Sequence, residues 1–159
     1  MSSRNRTRQK RDGELSRSYV TMPGLHIRSP WSQLILGGTK TVETRSYQLP
    51  GKYIGELLAI IETFGGARPA RIVGFVRFES SFRYTSKGEW EADSARHRVD
   101  SVDQDYGYCE DAPKWGWVVA ETFALRDVCE PPAKRGIRFV TECRVPKSIL
   151  PKNLTQLFS

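Results

Sequence analysis

The chain has 159 residues, enough for one domain with its own core and short for two of ordinary size. Its formal net charge is +7 and its sequence pI about 9.5, a balance that favours a polyanionic partner and says nothing of fold. No apolar run approaches the ~20 residues of a membrane span, and three cysteines without a Cys-x-x-Cys pair, beside only two histidines, complete neither a zinc pattern nor a disulfide framework.

The basic excess is uneven. Residues 1–18 hold six basic side chains against Asp12 and Glu14, a local net charge of +4. The segment has no periodic apolar residues, and such composition predicts disorder. It reads equally as a nucleic-acid-binding arm, an import signal around Arg8-Gln9-Lys10-Arg11, or a solubilising terminus. Residues 19–159 read as one domain.

Leu25 to Ile27 reads as a first strand, with His26 alternating between apolar neighbours and expected at the strand surface or partly buried with its polar groups satisfied, rather than as a ligand. A short helix follows. Ser29 is placed to cap it, Pro30 suits its first position, and Trp31, Leu34 and Ile35 form one apolar stripe. Gly37 and Gly38 end it, because glycine tolerates a left-handed exit. The polar run Lys40, Thr41, Glu43, Thr44, Arg45 comes directly after this buried helix, on a second strand. After a loop with a Pro50-Gly51 turn, the apolar run Leu57 to Ile61 predicts a strand covered on both faces. Arg71 to Glu79 predicts another, with Gly74 permitting a bend. Ser80 to Pro113 interleaves aromatic and charged residues, and a weakly patterned helix is expected from Lys87 to His97. Trp115 to Leu125 and Gly136 to Val140 complete the strands, with Gly116 allowing a close backbone approach. Pro146 and Pro151 punctuate a tail with a short helix near Ser148–Leu150.

The pair Pro30-Trp31, the helix, and Gly38-Thr39-Lys40-Thr41-Val42-Glu43-Thr44-Arg45 resemble the Pro-aromatic and Gly-x-Lys-x-x-Glu-x-Arg pattern of the ASCH family within the PUA-like superfamily. Tyr53 to Ile60, Arg71 to Val76, and Trp115 to Val119 with Pro131-Pro132 to Gly136 match later parts of the pattern, in order. The resemblance spans roughly Leu25 to Arg144. It implies an α+β fold: a small PUA-like β-barrel, a capping helix after the first strand, short flanking helices, and a variable insertion at about residues 80–113. It also implies a cleft between helix and barrel. The odd, widely spaced cysteines point to free thiols in a reducing compartment, and so to an intracellular protein, cytoplasmic or nuclear. No metal or cofactor is expected.

Three side chains of the motif have distinct uses. Lys40 offers a compact cation that can hold phosphate or, if desolvated, act as a base. Glu43 offers an acceptor for an exocyclic amine such as cytosine N4. Arg45 offers a planar fork for phosphate or for orienting the carboxylate. On an ideal strand Thr41, Glu43 and Arg45 share one face, and Lys40 joins them only if the turn after Gly38 rotates it. The leading expectation is a module that binds nucleic acid, single-stranded RNA or a modified nucleoside, through Trp31, Lys40, Thr41, Glu43, Arg45, Tyr47 and Lys52. The alternative is a hydrolase, acting on N4-acylcytidine or cutting RNA, with Lys40 and Glu43 catalytic. Family amidohydrolases place a threonine three residues after the lysine. Here that position is Glu43, which weakens a threonine-nucleophile mechanism.

Overall fold

In the computed structural model residues 18–133 and 138–158 are described. The basic segment of residues 1–17 and the start of the expected last strand lie outside them. The elements in chain order are β1 (Tyr19–Arg28), α1 (Trp31–Leu36), β2 (Val42–Arg45), β3 (Leu57–Thr63), β4 (Arg71–Tyr84), α2 (Lys87–Ala92), α3 (Ser94–His97), β5 (Lys114–Cys129), β6 (Phe139–Pro146) and α4 (Lys152–Thr155), with short 3₁₀ turns at Gly51–Tyr53, Lys147–Ile149 and Gln156–Phe158. No described helix is long and apolar enough to cross a membrane.

The strands form one mixed sheet in the order β2-β5-β4-β3-β1-β6. β1 and β3 run parallel, and every other neighbouring pair is antiparallel. The barrel expected from the sequence is not closed: among the described residues no ladder joins β2 to β6. Next to β2 the backbone finds a different partner. Thr41 donates its N–H to Arg96 O at 2.9 Å, so the segment between β4 and β5 meets the chain there.

β3 sits near the middle of the sheet and is covered on both faces. Leu58 and Ile60 join one core with Leu25, Ile27, Ile35, Tyr53, Phe78 and Trp117. Ala59 and Ile61 join a second with Val20, Met22, Ile72, Phe75, Cys143 and Leu154. Each fully buried large apolar side chain contributes about 1.5–3 kcal/mol, so the unbroken apolar run of β3 follows from its position. The expected first strand is longer than its three apolar-patterned residues. Pro23 lies inside it, where a register shift between Met22 and Gly24 spares the ladder the missing N–H. Gly24 lies in the strand, and a Cβ there would come within 2.5 Å of Cys143 Sγ.

Helix α1 starts at Trp31, with Pro30 as its cap residue and no side-chain cap. Ser29 does not cap because its backbone is still tied to β3: its N–H donates to Thr63 O at 2.9 Å. Pro30 O accepts from Gln33 and Leu34, each at 3.1 Å. The exit is as expected of paired glycines, with Gly38 at φ +79°. Lys40 N–H then returns to Leu34 O at 2.9 Å, which turns its side chain inward.

The expected helix from Lys87 to His97 is two helices separated at Asp93. Ser86 caps the first, its Oγ accepting from Glu89 N–H at 3.1 Å. Between them Tyr84, Trp90, His97 and Val99 build a small satellite core, with Trp90 and His97 rings stacked at 4.4 Å.

Candidate functional site

A cavity of about 500 Å³ opens between β1, α1, β2 and the segment that precedes β5. Lys40, Glu43, Arg45, Tyr47 and Trp31 all line it. The rotation that Lys40 needed is supplied by the Gly37-Gly38 exit. Thr41 and Lys52 are not brought there. Thr41 is exposed and its backbone is spent on Arg96 and Val119. Lys52 is exposed on the Gly51–Tyr53 turn, its ammonium 5.0 Å from the Tyr53 ring centre.

Lys40 is only 1 % exposed, and its Nζ donates to His97 O. Burial pushes its pKa down; Glu43 opposes the fall, and Arg45 and Lys114 add to it. The acceptor is held in turn by the neutral His97 ring. Its Nδ1 accepts from Val99 N–H at 3.0 Å, which leaves Nε2 to donate to Trp90 O at 2.7 Å. Burial is the main cause that lowers the His97 pKa.

Arg45 is committed within the protein. Its Nη2 donates to His26 O at 2.6 Å, and its guanidinium lies 5.5 Å from the Trp117 ring centre. Its Nε is 3.8 Å from Glu43 Oε1, which also accepts from Thr44 N–H at 2.9 Å. The other oxygen, Glu43 Oε2, is buried with no hydrogen-bond partner among the described residues. So are Tyr47 Oη and His26 Nδ1. Burial lowers the His26 pKa and Arg45 adds to the fall, against a backbone hydrogen bond at Arg138, so the ring is neutral near pH 7. Three unpartnered buried polar atoms around one cavity are costly, at about 1–3 kcal/mol each.

The opposite wall comes from the segment between β4 and β5. Tyr106 meets Trp31 edge to face at 4.7 Å. Trp31 Nε1 donates to Arg98 O at 3.2 Å, and Lys114 Nζ to Tyr106 O at 3.0 Å. Tyr106 is one of the aromatics interleaved with charge in residues 80–113, and the sequence placed no role on Lys114, Arg28 or Thr63, which also line the cavity. His26 is half-buried, one of the two places expected for it, but it lines the cavity with Nδ1 unpartnered. The signal available for His26 was a polar ring in an otherwise apolar strand; Lys114 and Thr63 gave none.

A mixed six-stranded sheet with short helices and a polar, aromatic-walled cavity beside α1 defines the class. No family model matches the sequence, and no curated protein matches it. Solved structures do. An ASCH structure from Zymomonas mobilis superposes with a TM-score of 0.60 at 16 % identity, covering 85 % of this chain and 91 % of that one. Serine-to-alanine and tyrosine-to-phenylalanine variants of the Zymomonas protein give the same TM-score at 14 % identity, over 86 % of this chain in each case. The chain therefore has the fold of an ASCH domain.

Proposed function

We propose that the cavity binds one nucleotide of a single-stranded RNA, splayed away from its neighbours. The observation that carries this reading is the set of unpartnered buried atoms, Glu43 Oε2, His26 Nδ1 and Tyr47 Oη, on three residues that line one cavity. A nucleobase edge offers what they lack: an amine for the carboxylate, and ring or carbonyl groups for the imidazole and phenol. A volume of about 500 Å³ suits a ligand of that size. Trp31 and Tyr106 supply aromatic surface, and base–aromatic stacking contributes about 1–3 kcal/mol.

The second reading is hydrolysis of an acylated nucleoside, and one observation favours it. A lysine desolvated beside a carboxylate has its pKa lowered toward the range of a working base. Such an enzyme would gain rate as pH rises through that lowered pKa.

Titration with cytidine and with a short single-stranded RNA, followed by tryptophan fluorescence, tests the first reading. Binding that Glu43→Gln weakens at least tenfold is expected; equal affinity in the variant would overturn it. Incubation with N4-acetylcytidine separates the readings: product that vanishes in Lys40→Ala favours hydrolysis.

A further inference from the structure

Lys40 and Arg45 were the cations expected to hold phosphate, and the structure commits both elsewhere, to His97 O and His26 O. A different cation stands at the mouth, held loosely against Tyr106. Arg28 lies two residues after His26 on the same face of β1, roughly 7 Å further along the strand. Its one hydrogen bond among the described residues is a long one, from Nη1 to Tyr106 Oη at 3.3 Å. The remaining guanidinium N–H groups are uncommitted.

Register places a turn beside it. Arg28 pairs with Thr63 across the parallel β1–β3 ladder, and the chain then passes through Gly65 at φ +63° and Gly66 at φ +84°. A Cβ at Gly65 would stand 2.7 Å from Arg28 Nη2, so glycine is what lets the guanidinium lie against the turn. A Cβ at Gly66 would meet nothing within 4 Å; that side is open. Both glycines line the cavity. A left-handed glycine turn exposes backbone N–H groups to an approaching anion, and a guanidinium alongside adds a planar fork.

We infer that Arg28 with the Gly65-Gly66 turn is the phosphate seat of the cavity, so that its ligand is a nucleotide and not a free nucleoside. This rests on the reading that Glu43, His26 and Tyr47 hold the base. The separation of His26 and Arg28 along β1 is comparable to that between the base edge and the phosphate of a single nucleotide. The phosphate is therefore read at the rim, and the buried cations serve to shape the base end.

Calorimetric titration of the full chain with cytidine and with its 5′- and 3′-monophosphates tests this. At least one monophosphate is expected to bind about ten- to a hundredfold more tightly than cytidine, a gain that shrinks with added salt. Whichever isomer shows the gain tells which phosphate the seat accepts. Arg28→Gln should abolish the gain, weakening the monophosphate far more than cytidine, and Arg28→Lys should restore part of it. Glu43→Gln should weaken nucleoside and nucleotide alike and preserve their ratio. Equal affinity for cytidine and both monophosphates, or a gain that survives Arg28→Gln, would overturn the phosphate seat while the base reading stands. Failure of all three ligands to bind would remove the base reading and the seat with it.

Discussion

Two buried glutamates show how differently one molecule treats the same side chain. Glu62 is fully buried and fully served. Ser32 Oγ and Gln33 Nε2 donate to its Oε2 at 2.6 Å each, and Arg71 Nε to its Oε1 at 3.0 Å. Burial pushes its pKa up, and these three donors more than offset the rise, holding it below the usual 4.5. A lowered folded-state pKa gives stability that is complete above the unfolded value and lost as pH falls through the folded one. Glu62→Gln is expected to cost about 3 kcal/mol at pH 7. Urea titrations should find that difference shrinking at pH values below 4.5; an equal cost at pH 7 and in strong acid would contradict it. Glu43 is the opposite case, with Oε2 unserved. Glu43→Gln removes a buried charge, so its thermal midpoint should match or exceed that of the parent while ligand affinity falls. A loss above about 2 kcal/mol would make Glu43 structural.

At the scale of elements, the site depends on how closely α1 lies on the sheet. Gly74 of β4 falls at a register shift against β5, and a Cβ there would come within 2.5 Å of Phe123 O and 2.6 Å of Leu36 Cδ2. Leu36 belongs to α1, so the glycine, beside an irregularity of the strand, seats the helix that carries Trp31. Gly74→Ala is expected to destabilise by about 1–3 kcal/mol, read as a lower urea midpoint. An unchanged midpoint would mean the strand moves aside at no cost. Helices α2 and α3 are the other support. Trp90 is fully buried between them, and the His97 carbonyl they position is the acceptor for Lys40. This segment is as much a part of the cavity as the motif strand.

For the whole molecule the charge is the dominant long-range property. With a net +7, the affinity for a short RNA should fall steeply between low and physiological salt. Residues 1–17 carry a net +4 of that charge. Removing them should lower both the affinity and the slope of log affinity against log salt. A slope unchanged by the deletion would make the segment a passive terminus. The three cysteines take no part in the described site. Cys143 is buried, Cys109 is exposed and Cys129 lies between, and all three are free thiols.

Local chemistry was legible in the sequence wherever neighbours along the chain decide it. The Gly37-Gly38 exit, the shared face of Glu43 and Arg45, and the doubly covered run Leu57–Ile61 are such cases, because backbone freedom and burial are written in residue type and spacing, whereas the inward turn of Lys40 was left open by the sequence. Tertiary structure alone decided the rest. Thr63 holds the Ser29 N–H and removes its capping role, the segment holding α3 meets the chain beside β2 where a barrel would close, and Tyr106 and Lys114 arrive at the cavity from sixty residues or more beyond α1. Contacts between residues so far apart depend on strand order and register, and those are set by the packing of two cores that no single stretch of the chain contains.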